Sequence, residues 1–328
     1  MNTQPEKVYH VGGLPAADIG AALNSSVLQR IGSCVALLIS TVAATLFAEA
    51  SKSADGTYPY NSFMIPCAVE AVKLLSSSGL LVASIIKGDG GSISFSPQKF
   101  AKFSIPALCY FISNNCMFYI IRLLGPTTFQ ITSNLKVLAT GVLMHVFLGR
   151  KLTWLRWKSL ALLVFGSAVT QLDSGNSEKV YNSKLGYILV VINSFASGAG
   201  GVLSEKLLKG PNNSVIDSIH WQNMQLYFFG VLFGLVSTRT SIGTSTIGVF
   251  HGFNSCAYAA VISLAIGGLL VSFILKYLDN FAKCFVSALS IIFVALAHAT
   301  MSRVALPMNI LIGIALTCMA IEQYNLPQ

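Results

Sequence analysis

The chain has 328 residues, of which 54% are hydrophobic and only 10% charged, with a mean hydropathy of +0.68. A soluble domain carries about 25% charged residues, so composition excludes an ordinary water-soluble globule. The net charge of +9 is better explained by membrane topology than by nucleic acid, for which a bundle buried in lipid has little surface.

The first thirty residues are polar and Gly/Ala-rich, with no basic segment ahead of an apolar core, and read as a flexible tail (1–30) rather than a cleaved signal. From residue 31 onward apolar runs of about 20 residues recur, the length that crosses a bilayer. Ten spans are expected, over 31–49, 61–86, 100–121, 127–148, 157–172, 185–204, 218–238, 256–277, 280–300 and 306–322, forming one domain over 31–325. Short loops carry breaker residues such as Gly125-Pro126, Gly210-Pro211-Asn212-Asn213 and Asp279-Asn280. Seven cysteines (Cys34, Cys67, Cys109, Cys116, Cys256, Cys284 and Cys318) show no CxxC or His-paired spacing. Neither zinc nor a disulfide framework is indicated; they read as small buried hydrophobes.

Thirteen Lys and Arg residues fall on one side of these spans, six on the other and two inside them. The positive-inside rule then puts both termini in the cytosol, with GRKLTWLRWK (149–158) as the strongest marker. Ten spans divide into two sets of five. Sequence identities between the halves are no better than chance, but an odd number of helices per half forces the second half to enter the membrane inverted. Inverted repeats are the architecture of alternating-access carriers, with the site near the midplane.

The two intramembrane cations are Lys73 and Lys136. A cation at mid-bilayer costs at least ~2.5–3.5 kcal/mol, so each marks a functional site facing a watery cavity that awaits an anion. Glu70 and Lys73, three apart, share a helical face and pair. The pair either locks two helices or holds Lys73 oriented in a cavity. Asn114 and Asn115 lie mid-span, where buried carboxamides need partners; they bridge helices or read the edge of a base or sugar. In Phe129-Gln130-Ile-Thr132-Ser133-Asn134-Leu-Lys136, spacings of three and four gather Gln130, Ser133, Asn134 and Lys136 toward one side. A cavity wall explains such a stripe better than packing does.

The small-residue run from Ser194 to Gly201 suits close helix packing, with Ser197 additionally facing the cavity. Glu205-Lys206 reads as a gate or surface pair. Asn223 and Tyr227, at i and i+4, share a face. They make a base platform, with stacking worth roughly 1–3 kcal/mol per base, or Tyr227 is simply interfacial. Gly267-Gly268 permits close backbone approach, and Ser272 follows in the same cluster. Lys276 and Lys283 flank a helix break. Either is an ordinary positive-inside lysine, and Lys283, at a helix start, also suits an anion site.

No Ser/His/Asp set, P-loop, paired-carboxylate motif or HExxH occurs, and the five histidines are isolated. A membrane enzyme is therefore disfavoured, and ten spans argue against a seven-helix receptor. Buried cations, amides, hydroxyls and aromatics suit an anionic, hydrogen-bonding, partly aromatic solute; a nucleotide sugar meets every requirement.

These clusters resemble the nucleotide-sugar transporters of the drug/metabolite transporter superfamily, the plant-like CMP-sialic acid branch above all, over about residues 31–325. The motifs that carry the likeness are Glu70-Ala-Val-Lys73-Leu-Leu, Ser104 to Asn115, Phe129 to Lys136, Ser197-Gly198 to Lys209, Asn223 to Tyr227 and Lys276 to Lys283. The resemblance implies an all-α, polytopic membrane fold of ten transmembrane helices in two inverted five-helix repeats. It implies a Golgi antiporter exchanging cytosolic nucleotide sugar for luminal nucleoside monophosphate (CMP), surrounded by membrane lipids, needing no cofactor or metal, and admitting a homodimer. Its site would be Lys73, Tyr110, Asn114, Lys136, Ser197, Asn223, Tyr227 and Lys283. Lys73, Lys283 and Tyr110 would take the phosphate; Asn114, Lys136, Asn223 and Tyr227 would take nucleotide groups. Glu70, Asn115, Gln130, Ser133, Ser272 and Lys276 are secondary candidates. Animal CMP-sialic acid carriers commonly have tyrosine where this chain has Phe129 and Ser133, so two phenol hydroxyls are absent. UDP-galactose, and CMP-Kdo as a related acidic sugar, are the alternative cargoes.

Overall fold

The computed structural model describes residues 16–53, 58–61, 64–88, 93–170, 184–210, 217–242, 251–302 and 308–326. Among them every regular element is a helix: α1 (Ala16–Ala50), α2 (Met64–Ile86), α3 (Pro97–Lys102), α4 (Ser104–Leu124), α5 (Pro126–Ser133), α6 (Leu135–Leu148), α7 (Trp154–Val169), α8 (Lys184–Lys209), α9 (Ile219–Ile242), α10 (Ser255–Tyr277), α11 (Asn280–Ser302) and α12 (Met308–Asn325). Seven helical stretches in the described residues are long and apolar enough to cross a membrane, so the chain is a polytopic membrane protein. Their outer faces carry exposed Leu75, Val82, Ile105, Val191 and Ile262, which suits contact with lipid. α1 starts at Ala16, inside the stretch expected as a tail; residues 1–15 lie outside the described ones.

Two expected spans are broken, each for a local reason. The third is split at Phe103 into α3 and α4. Pro106 has no N–H to give the carbonyl four residues back, so the ladder fails one turn before it. The fourth is split at Asn134. There the Thr132 hydroxyl donates to the Thr128 carbonyl at 2.7 Å and the Asn134 amide donates to Ile131 O at 3.3 Å. These side chains compete with the backbone ladder, which tightens to i,i+3 bonds at Asn134 and Val137. Gly125 (φ 84°) ends α4 and hands over to Pro126 at the start of α5, while Gly149 in the left-handed region (φ 65°) closes α6.

The main helix pairings are α4 with α8, α1 with α10, α7 with α12, α2 with α9 and α6 with α8. The glycines of α8 make it the hub. A Cβ on Gly198 would sit 3.1 Å from Leu143, one on Gly200 would sit 2.8 Å from the Tyr110 ring, and one on Gly201 would meet the Asn280 amide at 2.6 Å. Close packing is thus the main role of the small-residue run. One apolar core joins Val137, Met144, Leu160, Leu163, Val202, Phe281 and Ala320; another joins Phe103, Ala107, Leu226 and Tyr227.

At one end of the bundle, Asn254 accepts from Ala257 N (2.8 Å) to cap α10 and donates to Ser51 O (2.9 Å) just past α1. Ser51 Oγ meets the Tyr60 hydroxyl at 2.6 Å, and the Tyr60 and Phe253 rings lie 4.7 Å apart.

Candidate functional site

Glycines in α9 and α10 leave room for a cavity of about 260 Å³, walled by α2, α4, α8, α9, α10 and α11. Gly230 and Gly234 sit one turn apart on α9, against Glu70 and Cys67 of α2; Gly268 of α10 sits against the Lys73 stem. A larger residue at any of the three would push into those side chains.

Lys73 is 9% exposed and pairs with Glu70 Oε1 at 2.5 Å. Its ammonium also stands 4.2 Å from the centre of the Tyr227 ring, within cation–π range. Tyr227 is fixed in turn: its hydroxyl lies 2.6 Å from Ser272 Oγ and donates to Gly268 O at 3.3 Å. One arrangement therefore joins α2, α9 and α10. The Glu70–Lys73 pair lies within α2 and lines the cavity, and the contact that reaches a second helix is that of Lys73 with the Tyr227 ring. Tyr227 is buried, not interfacial, and Lys73 covers one face of the ring that was read as a base platform.

Tyr110, Asn114 and Asn115 bring α4 to the same wall, and Lys283 brings the first turn of α11. Asn115 Nδ2 donates to Phe111 O at 2.8 Å. Asn114 makes no hydrogen bond among the described residues, so its amide is available to a solute. The cavity thus collects Lys73, Tyr110, Asn114, Tyr227 and Lys283 with Glu70, Asn115 and Ser272.

The other candidates lie elsewhere. Lys136 on α6 is half-buried and outside the lining. Ser197 on α8 and Ser133 at the end of α5 are half-buried and also off the wall. The Gln130 side chain is outside the described residues. Asn223 is buried behind the wall, with its Oδ1 lacking a hydrogen-bond partner. Lys276 is buried and donates to Asp217 O and Gln222 Oε1, each at 2.7 Å, a structural role that keeps it from the cavity.

Below the cavity, where α8 ends and α11 begins, Glu205 is fully buried. It accepts from Arg150 (3.0 Å), Lys209 (2.7 Å) and the Asn280 backbone N–H (2.9 Å). Arg150 also reaches Asp279 at 3.6 Å, and Lys209 donates to Leu278 O at 2.5 Å. The acid at 205 is therefore not paired with its neighbour Lys206, which instead donates to Phe147 O. The Glu205–Lys209 spacing of four was visible in the sequence; the arrival of Arg150 from the α6–α7 loop was not. Ser204 in the lining was also missed, because a lone serine in a glycine-rich helix carries no periodic signal. Gly230 and Gly234 have the small-xxx-small spacing and were open to detection.

A family model described as nucleotide-sugar transporter matches residues 25–325. The chain is 29% identical over 307 residues to CMP-sialic acid transporter 1 of Arabidopsis thaliana, covering 89% of this chain and 88% of that protein. It is 28% identical over 287 residues to CMP-sialic acid transporter 1 of Oryza sativa subsp. japonica, covering 84% and 88%. With the UDP-galactose translocator of Mus musculus it is 36% identical over 234 residues, covering 69% of this chain and 59% of that one. A solved crystal structure at 14% identity superposes with a TM-score of 0.65, covering 89% of this chain and 98% of its own, which supports the fold alone.

Proposed function

Because the chain belongs to the nucleotide-sugar transporter family, we propose that it is a Golgi antiporter exchanging cytosolic CMP-sialic acid, or a related CMP-linked acidic sugar, for luminal CMP. The observation that carries this reading is the convergence of Lys73, Tyr110, Asn114, Tyr227 and Lys283 on one cavity from four helices far apart in sequence. Cations there suit phosphate, the open amide of Asn114 suits a base or sugar edge, and buried aromatics suit a nucleoside. Overlap of 84–89% of this chain with 88% of each of the two plant CMP-sialic acid transporters favours CMP. The higher identity to the UDP-galactose translocator over a shorter stretch supports UDP-galactose and UMP as the second reading.

The architecture proposed with it is ten spans in two inverted sets of five, with α3–α4 and α5–α6 each serving as one span and both termini cytosolic. On that topology the Glu205 cluster closes the cytosolic end, and the cavity opens toward the lumen by alternating access. Coupling follows from electrostatics. Lys73 is offset by Glu70, whereas Lys283 has no acid within ion-pair distance among the described residues. An empty carrier must occlude that charge in a low-dielectric interior, which is costly; CMP and the nucleotide sugar each offset it. Loaded carriers cross and empty ones rarely do.

The test is counterflow of labelled CMP in proteoliposomes against a panel of nucleotides and nucleotide sugars. CMP and CMP-linked acidic sugars should drive exchange, and vesicles lacking internal nucleotide should take up little. Preference for UMP would move the assignment to UDP-galactose. Equal uptake into empty and loaded vesicles would sink the coupling, and no counterflow at all would sink the transporter of nucleotides.

A further inference from the structure

Two linkers at opposite ends of the bundle are built alike. Ahead of α3, Phe95 precedes the N-cap Ser96, and its ring lies 5.9 Å from that of Phe100. Ahead of α10, Phe253 precedes the N-cap Asn254, and its ring lies 5.4 Å from that of Tyr258. The matching positions are 158 residues apart. Each linker is seated on the entry to a helix of the other half. Phe95 meets the Trp221 ring at 6.4 Å, Trp221 Nε1 donates to Ser94 O at 3.1 Å, and Ser94 Oγ donates to Asp217 Oδ1 at 2.8 Å, all at the start of α9. Phe253 meets the Tyr60 ring at 4.7 Å just ahead of α2. There Gly252, in the left-handed region (φ 81°), lies so close that a Cβ would run into Pro59 O.

The helix pairings repeat in the same way. Exchanging α1 with α8, α2 with α9, α4 with α10 and α6 with α11 turns α4–α8 into α10–α1, α4–α9 into α10–α2 and α6–α8 into α11–α1, and all of these pairs are present. The exceptions are one-sided. α8 also packs on α10 and α11, whereas no comparable packing joins α1 to α4 or α6 among the described residues. The Glu205 cluster belongs to this one-sided set, tying the end of α8 to Arg150 and to the start of α11. At the matching end of α1, Glu49 pairs with Lys52, three residues on, and with no other helix among the described residues.

Rocking an inverted-repeat carrier from one face to the other exchanges the conformations of its halves. A contact made at both ends is carried onto its twin by that exchange and persists. A contact made at one end must break there and form at the other. Taking the inverted halves proposed above, we propose that the Phe95–Trp221 and Phe253–Tyr60 clasps are the fixed pivots of transport, closed throughout the cycle while the Glu205 cluster opens. Their chemistry suits a pivot. Apolar ring contact is non-directional and tolerates small rotations that would break an ion pair. Hinges are a few residues in loops or at element ends, as both linkers are. The break at Phe103 separates α3 from α4, so α4, which carries Tyr110 and Asn114 to the cavity, tilts while its linker stays held.

The test is cross-linking of the full-length carrier in proteoliposomes. Ser94→Cys with Asp217→Cys and Tyr60→Cys with Phe253→Cys span the two pivots; Arg150→Cys with Asp279→Cys spans the gate. Each pair is joined by a bifunctional methanethiosulfonate of matched length, whose bonds reduction reverses, and the wild type treated alike is the baseline. Linked pivots should keep CMP counterflow within about twofold of baseline, and the linked gate should lose about 10-fold or more until it is reduced. Loss of counterflow on linking either pivot overturns the proposal and leaves the nucleotide reading standing, as does full counterflow with the gate linked. If the wild type exchanges no nucleotide, that reading fails, and the linking kinetics decide the pivots alone: one fast phase upholds them, and a slow fraction, which means that the residues part, overturns them. The two pivot pairs are independent, so either decides if the other does not fold.

Discussion

Glu205 and Ser204 are adjacent in sequence, equally buried, and opposite in circumstance. Glu205 is saturated, with two cations and a backbone N–H on one carboxylate. Ser204 has only the Tyr110 phenol beside it, without a well-formed bond, and Asn280, whose backbone serves Glu205, has an amide side chain without a partner among the described residues. Two polar regions less than one helical turn apart thus do different work. A saturated group holds helices together and gains nothing from a solute. An unsatisfied group weakens the empty protein and gains when a solute arrives.

That contrast breaks most visibly under substitution. Glu205→Ala leaves Arg150, Lys209 and the Asn280 N–H without their acceptor, and removing one partner of a buried ion network costs about 3–5 kcal/mol. Ser204→Ala removes a buried hydroxyl without a well-formed bond and should leave stability unchanged or raise it by about 1 kcal/mol. Thermal unfolding in detergent measures both; equal losses would erase the distinction. Next comes Gly200→Ala, whose new methyl would stand 2.8 Å from the Tyr110 ring. Overpacking of this kind costs about 1–3 kcal/mol, and because Tyr110 is displaced from the cavity wall, CMP affinity should fall alongside stability. A fall in stability alone would mean that Tyr110 packs but does not bind.

Tyr227 sharpens the comparison, because it belongs to both kinds of region. Its hydroxyl is satisfied by Ser272 and Gly268, while its ring faces the solute space. Tyr227→Ala should weaken nucleotide binding by about 1–3 kcal/mol, and Tyr227→Phe should keep most of the affinity. Equal losses, read by displacement of labelled CMP, would assign recognition to the hydroxyl and remove the stacking role. The smallest expected effect is none at all: Asn24-Ser-Ser and Asn212-Asn-Ser are glycosylation sequons on the side proposed to be cytosolic. Glycosidase treatment of cell-expressed protein should produce no mass shift at either asparagine, and a shift at one would invert the topology. Asn212 lies outside the described residues.

The sequence revealed most where a single helix carried the whole signal. Glu70 with Lys73, Asn114, Tyr227 and Lys283 were found because an apolar span makes any polar residue conspicuous, and all of them reach the cavity wall. Helix identities were legible for the same reason. Interruptions were not. Pro106 was visible, yet whether it bends or breaks a span depends on packing, and the break at Asn134 comes from side-chain bonds to carbonyls that no period encodes. That break also explains the polar stripe from Gln130 to Lys136. Its residues share one face only on a continuous helix, and the division into α5 and α6 leaves Ser133 and Lys136 off the wall. Lys276 and Lys283 show the remaining limit. They flank one turn, and the sequence could not say that α9 supplies Gln222 to hold the first while nothing comparable meets the second.

The Asn254 clamp lies at the opposite end of α10 from the Glu205 cluster, about 35 Å away for 23 residues at 1.5 Å each. One fastening consists of neutral hydrogen bonds and stacked rings, the other of ion pairs whose Arg150 and Asp279 are partly exposed. Dissolved electrolyte weakens exposed ion pairs and leaves neutral contacts nearly untouched. Raising ionic strength would therefore loosen one end of the bundle and not the other, making the molecule's response to salt intrinsically one-sided.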